Sequence, residues 1–101
     1  MLKDDTKALK NKGVQAATLL KNLANHTRLL VLCELSTGAK SVNEIVSKTN
    51  LSQPHVSAHL ARFKKQKIVS CEKKGREVFY SLEKTCVSEI IHALWKEFCK
   101  K

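Results

Sequence analysis

Proline and glycine are scarce in this sequence, which has one Pro and three Gly among its 101 residues. Flexible linkers and low-complexity segments are rich in these residues, and neither such a segment nor an internal repeat is visible. Because this length is typical of one hydrophobic core, we expect a single domain over residues 1–101. A chain this short leaves apolar surface uncovered, so a partner subunit is a natural addition.

Long apolar runs are absent as well. No stretch approaches the roughly 20 apolar residues that span a bilayer, and the polar opening lacks the apolar stretch of a secretory signal. We therefore expect a cytoplasmic protein without a membrane partner. In that compartment the four cysteines, Cys33, Cys71, Cys86 and Cys99, are normally reduced, so we do not interpret them as a structural disulfide framework. Any pair that oxidises would be regulatory.

Acidic residues are few: 9 Asp and Glu stand against 19 Lys and Arg, which gives a formal net charge of +10. An excess of this size is typical of proteins that bind nucleic acid, although ribosomal, membrane-surface and merely soluble proteins share it. Apolar residues make up 43% of the chain. That fraction is ordinary for a globular protein and argues against a disordered basic tail.

Helical periodicity dominates the first part of the chain. A first helix is predicted from Ala8 to Leu23, interrupted by Gly13. A second helix is predicted to follow Asn25 as its N-cap and to carry apolar residues as far as Leu35. Gly38 is predicted to end it in the left-handed conformation.

Two short helices separated by a tight turn come next. Ser41 and Glu44 have the spacing of a capping box for the first of them. Ser52 is the predicted N-cap of the second, with Pro54 in the first turn, where its missing N–H costs nothing. The predicted buried stripe of this second helix consists of Val56, Leu60 and Phe63. Together the two predict a helix-turn-helix.

The last third of the chain changes its pattern. Residues 68–72 and 77–82 are β-prone runs on either side of Lys73-Lys74-Gly75-Arg76, which predicts a hairpin with a basic tip. A final helix is predicted from about Thr85, and its apolar surface is wide enough for a subunit interface, with packing inside the monomer as the alternative. The predicted fold class is mainly α with a small β-hairpin (α+β), a winged helix-turn-helix.

The second short helix and the hairpin tip form a candidate DNA-binding surface. With the buried stripe against the core, small and polar side chains point outward, and a face without bulk lets a helix backbone approach base edges in a major groove. Cations at the tip are placed to neutralise phosphates or enter a minor groove. The candidates are Ser52, Gln53, His55, Ser57, His59 and Arg62 on the helix, and Lys73, Lys74 and Arg76 at the tip. A solvated helix face and a solvated basic turn are the alternatives.

The element order and three strings carry a family resemblance. The strings are Asn25-His26-Thr27-Arg28-Leu29, Leu51-Ser52-Gln53-Pro54-His55-Val56-Ser57-Ala58-His59-Leu60 and Val78-Phe79-Tyr80-Ser81-Leu82. Over about residues 18–99 the chain resembles the ArsR/SmtB family of bacterial repressors. The resemblance implies a homodimer built on the first and last helices that binds a palindromic operator in double-stranded DNA until an inducer lowers its affinity. Many members have Gln where Ala58 stands, so base contacts here would depend more on neighbouring residues.

Metal ions are the best-known inducers of that family, and the resemblance allows both usual sites to be tested. Where members have Cys-Val-Cys, this chain has Ser41-Val42-Asn43, which lacks thiolate ligands. The positions that match the ligands of the last-helix site hold Lys84, Cys86, Glu97 and Lys100. Because protonated lysines do not bind zinc, we predict no metal site and no cofactor.

Cys33 and Cys99 then stand out. A Leu-Cys-x-Leu string in the second helix and a C-terminal aromatic-Cys pair are similar to the redox- and reactive-sulfur-sensing branch of the family, which includes the biofilm growth repressor and the haemolysin regulator. The resemblance implies that the two thiols join through a disulfide or a longer sulfur bridge, with a reactive sulfur species or an oxidant as inducer. Bridging would shift the last helix against the second. The alternative is that Cys33 is a small core residue and Cys99 a frayed terminal one.

Other classes of protein share some of these sequence features. A winged helix that docks on an acidic protein would share the basic face, but it should not bind duplex DNA with a steep salt dependence. A regulator that acts by displacing another DNA-binding protein would share the whole site. An enzyme is not expected, because no set of Cys, His and Asp or Asn has a catalytic context.

Overall fold

The computed structural model describes residues 6–100, and of Leu9 it describes the backbone alone. The sequence also predicts that Leu9 lies on the apolar stripe of the first helix, and this prediction lies outside the described side chains. Within residues 6–100 the elements are α1 (Thr6–Leu23), α2 (His26–Leu35), β1 (Lys40–Ser41), α3 (Val42–Thr49), α4 (Gln53–Lys65), β2 (Val69–Lys74), β3 (Glu77–Leu82) and α5 (Thr85–Phe98). The predicted fold class, mainly helical with a small antiparallel sheet, is confirmed.

Helix α2 begins where the sequence predicts and ends earlier. The side chain of Asn25 accepts a hydrogen bond from the Arg28 N–H at 3.1 Å, as an N-cap does. The prediction that Gly38 ends the helix is wrong, because α2 ends at Leu35 and Ser36 caps it in the right-handed conformation. Gly38 lies in the turn that follows, where its φ of 136° favours glycine.

The helix-turn-helix is confirmed in its capping details. The Ser41 hydroxyl accepts from the Glu44 N–H at 3.2 Å, and the Glu44 carboxylate accepts from the Ser41 N–H at 2.9 Å. Asn50 ends α3 in the left-handed conformation, with a φ of 61°. The Ser52 hydroxyl then accepts from the His55 N–H at 3.2 Å and starts α4. Local side-chain hydrogen bonds thus fix the start of both short helices.

The predicted hairpin is part of a three-stranded antiparallel sheet with the order β1-β3-β2. β2 and β3 pair along their whole lengths. The two-residue strand β1 pairs with Tyr80 and Phe79 of β3. The sequence does not predict β1, because two residues are too few to show the alternation of a strand. Because β1 directly precedes α3, this pairing holds the start of α3 beside the hairpin. The hairpin of β2 and β3 is the wing of the fold.

One hydrophobic core connects the helices to the sheet. Val56, Leu60 and Phe63 of α4 are each 0% exposed, which confirms the predicted stripe. Other core residues are Leu23, Val31, Leu32, Leu35, Ile45, Ile68, Val69, Val87 and Ile91. Because complete burial of such a side chain is worth about 1.5–3 kcal/mol, the stripe holds α4 in one rotation about its axis.

Helices α1 and α5 carry apolar side chains that no residue among the described ones covers. Val14 and Leu20 are exposed on α1, and Leu94, Trp95 and Phe98 are exposed on α5. Phe98 is 79% exposed. Isolated exposed apolar residues are ordinary, but several on two helices mark a contact surface. None of the helices within residues 6–100 has the length and apolarity of a membrane span.

Candidate DNA-binding surface and thiol pair

Helix α4, which we call the reading helix, has a fixed outward face because its stripe is buried. Successive residues are turned by about 100°, so the positions around the stripe follow from their numbers. One flank carries His55 and His59, the other carries Gln53, Ser57 and Lys64, and Pro54, Ala58, Ala61 and Arg62 lie toward the open side. With the exception of His59, these residues are exposed. The outward face is therefore small and polar, as the sequence predicts.

The structure keeps Gln53, Ser57 and Arg62 exposed on the reading helix. Ser52 is also exposed, but its hydroxyl oxygen accepts the His55 N–H as the N-cap. Ser52 therefore caps the reading helix and is also accessible to a ligand. The four residues leave amide, hydroxyl and guanidinium groups available for base edges or phosphates.

His55 and His59 meet a residue that the sequence analysis did not single out. The Nε2 atom of His59 lies 2.9 Å from the Thr27 hydroxyl oxygen, and the Nε2 atom of His55 lies 3.4 Å from the same oxygen. The two imidazole centroids are 4.6 Å apart. We call these three side chains the Thr27 junction. It joins the first turn of α2 to one flank of the reading helix.

The surroundings of His59 disfavour its protonation. Burial lowers the pKa of His59, and the positive charges of His55, Arg28 and Arg62 lower it further. The imidazole also stacks on Phe63 of the core, with centroids 6.3 Å apart. His59 is therefore half-buried and neutral at neutral pH, whereas His55 is exposed.

The wing tip presents its three predicted cations to solvent. Lys73, Lys74 and Arg76 are all exposed, and Gly75 between them has a φ of 64°. Lys74 Nζ lies 3.7 Å from Glu72 Oε1. An exposed pair at this distance is worth little, so Lys74 remains available to a phosphate.

A contact between the reading helix and the wing involves Lys64 and Cys71. A hydrogen bond to the Cys71 sulfur raises the pKa of the Lys64 ammonium, and the charges of Cys71 and Tyr80 raise it further. Tyr80 is the cross-strand neighbour of Cys71. No local sequence pattern indicates this contact.

Cys33 lies on the wall of an open groove of about 920 Å³ between α2 and α5. Its other walls include Glu34, His92, Trp95 and Lys96. The rings of His92 and Trp95 are stacked, with centroids 6.3 Å apart and planes inclined by 15°. The predicted sensor residue is thus accessible from solvent instead of enclosed in the core.

Cys33 and Cys99 are close enough to interact electrostatically. Burial raises the pKa of the Cys33 thiol, and the neighbouring Cys99 and Glu34 raise it further. Cys99 follows the last turn of α5, where its N–H donates to the Trp95 carbonyl oxygen at 2.8 Å. Both thiols are free, and both residues are exposed.

The positions of the family's metal sites have other roles here. The Ser41 hydroxyl is used in the capping box of α3, and Lys84 is the residue that precedes α5. Among residues 6–100, no three His, Cys, Asp or Glu side chains group into a site that could hold a metal ion.

Comparison with known proteins gives related sequences and folds. Residues 25–70, from the N-cap of α2 to the start of β2, match the family described as "Bacterial regulatory protein, arsR family". The transcriptional activator HlyU of Vibrio cholerae is 36% identical over 92 residues, which cover 91% of this chain and 85% of that protein. The biofilm growth-associated repressor of Agrobacterium fabrum is 33% identical over 92 residues, which cover 91% of this chain and 79% of that protein.

A solved structure has the same fold. Reduced HlyU from Vibrio cholerae superposes with a TM-score of 0.85 at 35% identity, covering 92% of this chain and 98% of that chain. These relatives are transcription regulators. They confirm the predicted family and the prediction that the protein is a regulator and not an enzyme. The chain belongs to the ArsR family of bacterial transcription regulators.

Proposed function

We propose that this protein is a repressor that binds a palindromic operator as a homodimer and releases it when Cys33 and Cys99 are oxidised or persulfidated. The observation that carries the DNA-binding part is the outward face of the reading helix, which is small, exposed and free of acidic side chains. Arg62 lies on that helix and the exposed cations of the wing tip lie on the same domain.

In this proposal some of the predicted residues contact bases and others contact phosphates. The amide of Gln53 matches the hydrogen-bonding edge of adenine, and the Ser57 hydroxyl suits any base. Arg62, Lys73, Lys74 and Arg76 neutralise phosphates, and release of counterions makes that part of the affinity dependent on salt. The net charge of +10 strengthens the attraction at long range.

The dimer is supported by the exposed apolar residues of α1 and α5. A second copy would cover Leu20, Trp95 and Phe98, and burial of each such side chain is worth about 1.5–3 kcal/mol. A two-fold dimer places two reading helices about one turn of DNA apart, or a multiple of it, which requires two half-sites of opposite orientation.

The thiol switch is supported by the different surroundings of the two cysteines. Because the pKa of Cys33 is raised, this thiol is protonated at neutral pH and reacts slowly. Cys99 is exposed directly after the last turn of α5, where a polysulfide in solution can reach it. Cys99 is therefore the attacking thiol and Cys33 the resolving one.

The reaction with an inorganic polysulfide proceeds in two steps. The Cys99 thiolate attacks the polysulfide, so that a new S–S bond forms at Cys99, one S–S bond of the polysulfide breaks, and a shortened polysulfide leaves with the electron pair. Cys33 then loses its proton and attacks the Cys99 sulfur, and hydrosulfide leaves. The two thiols lose two electrons in total, and the polysulfide accepts them.

A second candidate function is favoured by one relative. HlyU of Vibrio cholerae is described as an activator, whereas the protein of Agrobacterium fabrum is described as a repressor. In the second candidate the chain activates transcription by displacing another DNA-binding protein from the same sequence. Both functions need the same DNA contacts and place the protein in the cytoplasm, with the chromosome.

The proposal is tested by binding to duplex DNA before and after polysulfide treatment. We expect the reduced protein to bind a labelled mixed-sequence duplex in fluorescence anisotropy, with an affinity that falls steeply as salt rises. Treatment should weaken binding to operator fragments selected from bacterial genomic DNA, and mass spectrometry should find Cys33 linked to Cys99. The variants Cys33→Ser and Cys99→Ser should bind equally before and after treatment.

The other two cysteines supply matched controls. Cys71→Ser and Cys86→Ser should keep the response of the unmodified sequence. A response that persists unchanged in Cys33→Ser would exclude the proposed thiol pair, while DNA binding itself would stand. Failure of the reduced protein to bind any duplex at low salt would exclude the regulator and leave a protein-docking module.

A further inference from the structure

The Thr27 junction has a defined pattern of hydrogen atoms. The Thr27 hydroxyl donates its single proton to Asn25 Oδ1 at 2.8 Å, and the same Oδ1 accepts from the Arg28 N–H. The hydroxyl oxygen is then an acceptor, so the close contact with His59 at 2.9 Å is made by an Nε2–H group. A further proton on His59 adds to Nδ1 and leaves this contact intact.

The junction gathers positive charge without a counter-ion. The charged groups that act on His59 are His55 on the reading helix, Arg62 on the same helix, and Arg28 on α2, and all are cations when protonated. Phe63, which packs against the ring, is neutral. No carboxylate contributes among the described residues that act on His59.

Arg28 has a side-chain donor without a partner. Its Nε atom is buried and makes no hydrogen bond, and its guanidinium reaches the Asn22 carbonyl oxygen only at 3.4 Å. An unpaired buried donor is costly. Arg28 and Arg62 therefore lie near enough to His59 for their charges to act on it. The contact of His59 with Thr27 is at the first turn of α2, where the helix dipole also favours an anion.

We propose that the Thr27 junction, with Arg28 and Arg62, is a binding site for a phosphate diester of the DNA backbone, and that its occupation takes up a proton on the His55–His59 pair. This inference rests on the proposed DNA-binding function and adds a contact outside the helix-turn-helix. The phosphate would lie beside the reading helix, on the flank opposite the wing. The operator backbone is then held at two places, the wing tip and the start of α2.

The direction of the pH effect follows from linkage. A bound phosphate favours the imidazolium form, so the pKa of the pair is higher in the complex than in the free protein. The gain in affinity is complete below the pKa of the free protein and is lost as the pH rises through the pKa of the complex. Because the pKa of His59 in the free protein is lowered, His59 extends the gain toward acidic pH.

The experiment measures affinity for a labelled mixed-sequence duplex of about 30 base pairs between about pH 5.5 and 8, the range in which histidine titrates. At constant salt we expect binding to tighten roughly tenfold from the upper to the lower pH, since a shift of one pKa unit corresponds to a factor of ten. His55→Gln should remove most of this dependence, and His55→Gln combined with His59→Gln should remove nearly all of it. His92→Gln on α5, which also removes one imidazole, should keep it.

A second readout does not depend on the stability of the variants. In NMR spectra of the imidazole groups, the titration of His55 and His59 should move to higher pH when duplex is added, and that of His92 should not. A pH dependence that is equal in the unmodified protein and the double variant would overturn the phosphate site, while DNA binding would stand. Absence of binding at every pH would overturn the proposed function and this inference with it.

Discussion

Hydroxyl groups of single residues determine where the helices of the DNA-binding half begin. Ser41 is 3% exposed and takes part in both hydrogen bonds of its capping box. The hydroxyl satisfies an N–H at the start of α3 that no residue of the helix reaches. Loss of this oxygen leaves a donor without a partner in a part of the domain that water does not enter freely.

Replacing Ser41 by alanine should therefore lower the free energy of unfolding by about 1–2 kcal/mol. Urea denaturation followed by circular dichroism measures this change. Ser47→Ala, at an exposed position of the same helix, is the matched control and should change stability by less than about 0.5 kcal/mol. Equal unfolding midpoints for the two variants would show that the capping box does not stabilise the domain.

Residues whose partners are near in sequence could be predicted, and those with distant partners could not. The caps at Ser41 and Ser52 follow from spacings of three residues. Thr27 and His59 are 32 residues apart, so only the packing of α2 on α4 brings them together. The contact between Lys64 and Cys71 escaped prediction for a related reason, because it depends on how the wing folds back on the reading helix.

At the scale of elements, one glycine lies in a helix and another lies in a turn with positive φ. Gly13 lies inside α1 and Gly75 forms the turn of the wing with a φ of 64°, and an added Cβ would meet no atom within 4 Å at either position. The effect of alanine is therefore conformational at both. A helix favours alanine over glycine, whereas the left-handed region disfavours any Cβ.

Gly13→Ala should raise the free energy of unfolding by about 0.5–1 kcal/mol, and Gly75→Ala should lower it by about 1 kcal/mol. Thermal unfolding measured by calorimetry gives the two signs directly. Gly75→Asn is the control for the turn, because asparagine tolerates positive φ, and it should cost less than Gly75→Ala. A change of the same sign at both glycines would contradict this explanation.

The bounds of helices and strands could be predicted where particular side chains indicate them. The predicted bounds of β3 and the predicted start of α5 agree with the structure. The end of α2 was misplaced because Ser36 caps the helix mainly through its backbone N–H, which any residue type can supply. β1 was missed because its two residues pair with a strand almost 40 positions later, and strand pairing of this kind has no local pattern.

At the scale of the whole molecule, α1 and α5 expose apolar residues that the proposed second copy would cover. Leu94 and Phe98 lie one helical turn apart on α5 and are both exposed. The double substitution of Leu94 and Phe98 by serine should give a folded monomer, because it removes apolar area from the proposed interface and none of the buried core. Sedimentation equilibrium should then report the mass of one 11.4 kDa chain, whereas the unmodified protein should report twice that mass.

Ala61→Ser, on the exposed face of the reading helix, is the control and should leave the dimer intact. The monomeric variant should also bind a duplex with two half-sites much more weakly, because the second half-site no longer adds to the affinity. If the double variant stayed dimeric, the subunit interface would lie elsewhere on the surface.

The reading helix is held in its domain by the complete burial of Val56, Leu60 and Phe63 and, on one flank, by the contact between His59 and Thr27. Such a helix has no freedom to roll within its own domain, so each domain meets DNA as a rigid body. In the proposed dimer, a bridge between Cys33 and Cys99 would then change only the spacing of two unaltered domains. A duplex that carries one half-site should consequently bind oxidised and reduced protein equally well, and the response to the inducer should exist only where two half-sites must be spanned at once.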